Sequence, residues 1–218
     1  MTSWALLCRY QLVGIFRVDV AQTHSPTKKK LLDAAEQLML AKGFPATTVD
    51  EICDFAGFTK GSFFHYFESK EQLGKEVLDR FCSAFQQTLQ QGSFREETDP
   101  LQRLYGYVER FIEMSRKPEF SSNCLLGNFT VELSETHPAI GSRCARFFKE
   151  WTAAVKQDLD QAKAQYAPKA SFDTQSVAEY LIALLQGTRI LAKAKQDNGV
   201  FEQNLRHFQS YLKSLFEP

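Results

Sequence analysis

The 218-residue sequence has no surplus of charge: 26 basic residues cancel 26 acidic ones. That excludes a chain whose whole surface attracts polyanions, so any such binding has to come from a local patch. Its five cysteines are odd in number and show no paired spacing, which argues against a secreted disulfide scaffold. No C-x-x-C or H-E-x-x-H segment occurs, so no metal or cofactor is expected. Neither a G-x-S-x-G elbow nor a phosphate-loop pattern is present, and the chain is not expected to be an enzyme. No stretch sustains two-residue alternation, which removes strands from consideration. The apolar opening, Met1 to Arg17, is interrupted by Arg9 and Arg17 and cannot span a membrane. It also lacks the basic start and small-residue cleavage site of a secretory signal. Residues 1–26 are therefore expected to be a flexible arm, or the product of a start codon assigned too early, since the regular pattern begins only at Thr27, which could cap the first helix. The remaining expectation is a cytoplasmic, all-α protein.

What is present is concentrated between residues 47 and 70. Thr48 and Glu51 have the spacing of a capping box, and Ile52, Phe55 and Ala56 make an apolar stripe at helical spacing. Gly57 follows where a left-handed residue ends a helix cheaply. Thr59 can cap a second helix anchored by Phe63 and Phe67, and Ser69 with Gln72 opens a third. Helix, glycine-containing turn, helix is the helix-turn-helix arrangement. If Thr59 is the cap, Lys60, Gly61 and Ser62 form the first turn of the second helix, the end from which base edges are read. Lysine can donate to guanine, serine can pair with several bases, and glycine leaves room for close approach. His65, Tyr66 and Lys70 supply donors for phosphate oxygens. Lys28, Lys29 and Lys30 could add to the patch. A helical hairpin whose aromatics are simply core remains the alternative on spacing alone.

Residues about 27 to 75 closely resemble the DNA-binding domain of the TetR/AcrR family of bacterial transcriptional repressors. The likeness is carried by Lys-Lys-Leu-Leu-Asp-Ala-Ala-Glu-Gln-Leu at 29–38, Lys-Gly-Phe at 42–44 and Thr-Thr-Val-Asp-Glu-Ile at 47–52. It continues through Ala-Gly-Phe-Thr-Lys-Gly-Ser-Phe-Phe-His-Tyr-Phe at 56–67 and Ser-Lys-Glu-Gln-Leu at 69–73. The resemblance implies that Lys60, Gly61 and Ser62 face base edges while His65, Tyr66 and Lys70 contact the backbone. Lys28, Thr47, Thr48 and Thr59 complete the residues expected at double-stranded operator DNA. Phe64 departs from the family, which usually has tyrosine there, and removes one phosphate-donating hydroxyl.

Downstream the pattern is helical throughout, with helices expected at about 69–91, 99–117, 120–134, 137–166, 173–196 and 200–216. With three before residue 68, that makes about nine. The resemblance implies an N-terminal three-helix DNA-binding domain over 27–70 and a larger C-terminal helical domain over 71–218, which binds a small molecule and forms the dimer. Apolar stripes on 173–196 and 200–216 suit a four-helix homodimer interface, or equally the completion of the monomer core. Tyr105, Phe111, Met114, Cys124, Phe129, Phe147, Trp151 and Tyr180 are candidate ligand contacts, with Asn128 and Gln186 as polar handles. Each also reads as ordinary core. Cys124 lies near a helix start, which favours thiolate, in a Cys-Leu-x-Gly-Asn segment that resembles one branch of the family. An electrophilic inducer is one expectation and a small buried hydrophobe the other. The resulting reading is a ligand-released homodimeric repressor on a palindromic operator. The alternative is a ligand-binding or interaction module of the same fold that reads no specific operator.

Overall fold

The computed structural model describes residues 25–117 and 123–216; the expected arm lies, apart from its last two residues, outside them. Among the described residues there are nine α-helices, one 3-10 turn and no strand, as the absence of two-residue alternation requires. Helix α1 (Pro26–Lys42) begins earlier than expected. Ser25, not Thr27, is its cap, accepting from the Lys28 amide, and Pro26 fills the first position, where no amide donor is needed. Helix α2 (Val49–Ala56) opens with the anticipated reciprocal Thr48–Glu51 box and stops at Gly57, whose φ of 74° is left-handed. Helix α3 (Lys60–Tyr66) is capped by Thr59 and α4 (Lys70–Gln90) by Ser69.

A 3-10 turn, Ser93–Glu96, follows α4 and was not foreseen. Then come α5 (Pro100–Ser115), α6 (Leu125–Leu133), α7 (Pro138–Tyr166), α8 (Thr174–Lys195) and α9 (Gly199–Phe216). Helix α6 starts at Leu125, later than the expected residue 120; part of that difference, 120–122, lies outside the described residues. Helix α8 ends at its expected boundary, with Gln196 at φ 53° as its left-handed cap. There the Gln196 amide turns back to Ala192 and Lys193.

Helices α1, α2 and α3 pack on one another, and α1 also lies on α4 and α6. The larger cluster is built by α7 against α6 and α8, α5 against α7 and α9, and α8 against α9. Phe111, Phe129, Phe201 and Phe208 are among its fully buried side chains. One buried charge ties three of these elements together. The Asp158 carboxylate on α7 accepts from Arg95 of the 3-10 turn and from Arg103 of α5, both at 2.9 Å. Removing it would leave two guanidinium groups without their shared acceptor. Asp158→Ala is expected to lower the free energy of unfolding by about 3–5 kcal/mol, measured by urea denaturation.

Candidate nucleic-acid interface and ligand site

The exposed face of α3 consists of Lys60, Gly61, Phe64 and His65, while Phe63 is buried beneath it. Thr59 stays exposed; its hydroxyl accepts from the Ser62 amide and lies 3.2 Å from the Ser62 hydroxyl. Lys60 pairs with Asp50 of α2 at 2.7 Å. Phe64 is 56% exposed, its ring held edge-on against Phe63. The Tyr66 hydroxyl, half-buried, accepts from Ser25 Oγ at 2.8 Å.

Three expected DNA contacts turn inward instead. Lys28 bridges to Glu76 on α4 at 2.7 Å and lies over the Phe67 ring. Thr47 is fully buried and donates its hydroxyl to the Gly43 carbonyl at 2.8 Å. Lys70 donates to the Phe44 and Thr47 carbonyls at 3.1 and 2.9 Å and sits over the Phe44 ring, where burial pushes its ammonium below the ordinary lysine range. Sequence spacing placed these side chains on the correct elements but could not show that tertiary partners claim them. Thr48 remains exposed, with its hydroxyl committed to Glu51.

The contacts of Thr47 and Lys70 converge on the loop between α1 and α2. The Phe44 ring stands edge-on to Phe129 of α6 at 5.6 Å and to His137 at 5.3 Å. A Cβ at Gly74 would come within 2.7 Å of that ring, so the α4 glycine makes room for it. Glu132, on α6, accepts from the Phe44 amide at 2.8 Å. Gly43, at φ 85°, passes so close that a Cβ there would meet the Glu132 carboxylate at 2.7 Å. Phe44 entered the sequence reading only within the Lys-Gly-Phe segment of the resemblance, with no role assigned to it, and Glu132 was not singled out at all.

Of the candidate ligand residues, Phe111, Met114, Phe147 and Trp151 are buried, and Tyr105 is half-buried against the same core. The Trp151 indole donates to the Tyr107 hydroxyl at 2.5 Å and its ring packs on Phe85 and Phe148. Cys124 is the N-cap residue of α6, and the Gln186 amide donates to its sulfur at 3.9 Å. Asn128 is half-buried one turn further on. Tyr180 does not join this group. It is 48% exposed and packs on Phe208 and Tyr211 of α9, because its position on α8 faces away from α7. An open groove of about 550 Å³ runs between α7 and α8, with Phe148, Thr152 and Ile182 in its walls and Gln186 at its edge.

With this geometry in view, the comparisons with known proteins decide the family. Residues 31–77 match the model of bacterial regulatory proteins of the tetR family, and residues 100–208 match the tetracyclin repressor-like C-terminal domain. The chain belongs to the TetR family. It is 28% identical over 193 residues to the HTH-type transcriptional repressor DhaR of Mycobacterium sp. (strain GP1), covering 88% of this chain and 92% of that one. It is 26% identical over 190 residues to the HTH-type transcriptional repressor NemR of Escherichia coli K12, covering 87% and 96%. The crystal structure of reduced E. coli NemR superposes with a TM-score of 0.72 over 87% of this chain and 96% of that one, at 28% identity. A TetR regulator from Chloroflexus aurantiacus shares the fold at a TM-score of 0.77 and 21% identity, covering 86% and 94%. TetR-family proteins are non-enzymatic regulators that bind operator DNA and are usually dimeric. Among the described residues no helix is long and apolar enough to cross a membrane.

The helix-turn-helix of this TetR protein carries one titration that reports its integrity. Lys42, followed by the Thr48 amide and hydroxyl, holds the Glu51 carboxyl down from an ordinary 4.5 to about 2. A depressed carboxylate contributes stability above its unfolded pKa, and loses it as pH falls through the folded value. The Glu51 contribution to the α2 cap should therefore be complete above about pH 4.5 and be lost progressively as pH falls from there to about 2. Carbon-detected NMR should place the Glu51 midpoint near 2, and Lys42→Ala should move it upward.

Proposed function

We propose that this TetR-family chain is a homodimeric repressor that binds a palindromic operator through α3 and releases it when a small molecule occupies the C-terminal helices. The observation that carries the reading is the exposed face of α3, with Lys60 and Gly61 in its first turn and capped by Thr59. That is the end from which a recognition helix contacts bases. Lys60, Gly61, Ser62 and His65 are the proposed DNA contacts, with Thr48, Thr59 and Tyr66 bordering them. The setting is the cytoplasm, where such an operator would be found.

A single recognition helix reads few base pairs, so a second subunit is needed to read a palindrome. Helices α8 and α9 supply the proposed interface. Ile190 is 69% exposed, and Tyr180, Leu191 and Tyr211 lie uncovered on the same two helices. Exposed apolar side chains in that number mark a surface that another protein covers.

The ligand is proposed to lie among Phe111, Phe147 and Trp151, with Cys124 at one end. Cys124 is the least buried of the described thiols at 8% exposure. Its place at the start of α6 and its greater exposure make it, among the described thiols, the one proposed to meet an electrophilic inducer. Helix α6 then links the two functions: Cys124 caps its start, and Glu132 near its end holds the Phe44 amide. Nine helical residues make a strut of about 13 Å. A ligand displacing the Cys124 end would be felt at the helix-turn-helix, provided it binds the two states with different affinity.

Ile190→Glu is expected to convert the dimer to monomer in analytical ultracentrifugation, and to weaken retention of operator DNA at least 100-fold. A random duplex library at about 0.15 M salt, where the sequence-independent phosphate attraction is damped, should yield a palindrome with wild type. Retention without sequence preference would favour the module that reads no operator. Trace maleimide should label Cys124 faster than Cys82; equal rates would remove the electrophile from the proposal.

A further inference from the structure

The helix-turn-helix region is poor in free positive charge for a surface that meets DNA. Residues 25–77 hold seven lysines, no arginine and eight carboxylates. Most of the lysines are engaged within the protein. Lys28 pairs with Glu76, Lys42 with Glu51 and Lys75 with Glu71, while Lys70 is bound to loop carbonyls. The cation in the first turn of α3 is engaged too: Lys60 Nζ lies 2.7 Å from Asp50 Oδ1.

This last pair differs from the others in its setting. Its side chains are 62% and 59% exposed, and ion pairs so open to water contribute little to stability. Asp50 also stands in the first turn of α2, where the helix dipole already favours a carboxylate without help from Lys60. The fold therefore gains little from joining them. What the pair does is place a fixed negative charge beside the cation expected to read DNA.

We infer that Asp50 is a specificity-determining residue, which withholds Lys60 from phosphates and yields it to the neutral edge of guanine. The inference rests on the operator-binding reading above. A free lysine gains affinity from any phosphate by displacing a condensed counterion. Lys60 carries its anion on the same domain, so a phosphate contact would either break the pair or bring phosphate and carboxylate together. Guanine O6 and N7 are uncharged acceptors. An ammonium has three donors, so Lys60 can reach a guanine while still bonded to Asp50. The carboxylate thus penalises backbone contact and leaves base contact open, which lowers non-specific binding more than specific binding.

The test compares wild type, Asp50→Asn, Lys60→Ala and the double variant on the selected operator and on a random-sequence 30-base-pair duplex, across a salt series. Asp50→Asn should tighten random-duplex binding about tenfold at low salt and steepen its salt slope by about 0.9, the increment for one added phosphate contact. Operator affinity should change by less than about threefold, so the ratio of specific to non-specific affinity falls. In the Lys60→Ala background, Asp50→Asn should do nothing further. A damaged α2 would instead lower binding in both backgrounds. An unchanged slope and ratio, or an Asp50→Asn effect that persists without Lys60, would overturn the inference while leaving the operator reading intact. A wild type that selects no sequence would overturn both.

Discussion

The placement of the DNA-reading unit depends on one aromatic side chain. Phe44 leaves the loop after α1 and inserts against Phe129 and His137, with its ring accommodated by the missing Cβ of Gly74. An aromatic knob packed this way contributes through its buried area and through edge-on ring contacts. Its backbone is held as well: Glu132 takes the amide and Lys70 the carbonyl. Each of these groups would cost free energy if buried without a partner. Apolar packing, a carboxylate and an ammonium thus act on a single residue from α6 and α4, and the orientation of α2 and α3 follows from where that loop is fixed.

Lysine takes on unequal roles around this point. Lys28 and Lys70 hold elements of the fold together, whereas Lys60 stays at the surface with only Asp50 beside it. The region's eight carboxylates outnumber its seven lysines, so it offers no long-range attraction to DNA and recognition has to come from close contact. On the proposed role of Asp50, such a chain gains selectivity at the expense of affinity, and the absence of a hydroxyl at Phe64 would act in the same direction.

The sequence exposed most of the fold through local chemistry. Thr48 with Glu51, Thr59 and Ser69 bound the helices through side chains that satisfy backbone groups within four residues, and Gly57 does so through its left-handed backbone; such signals survive without tertiary information. Ser25 was missed as the first cap because Thr27 offers the same chemistry two residues later, and Pro26 at the first helical position decides between them. The candidate site was less legible. Lys28, Thr47 and Lys70 have the residue types suited to DNA, yet partners 23 to 48 positions away, or a carbonyl one turn back, take their donors. Tyr180 shared the helical stripe of α8 but lies toward α9, a distinction that depends on which neighbour covers which side. Glu132 carried no local signal, because its partner, the Phe44 amide, lies 88 positions away in the chain.

Amide hydrogen exchange tests the link between α6 and the α1–α2 loop directly. Exchange would be followed in Phe44–Val49 and in Leu125–Leu133, with and without operator DNA, for wild type and Glu132→Ala. In wild type, DNA bound at α3 should slow exchange in α6 as well as in the loop. In Glu132→Ala the loop should exchange faster, and DNA should protect the helix-turn-helix alone. Equal protection of α6 in both proteins, or none in either, would contradict the claim that Glu132 and Phe44 join the two parts of the molecule.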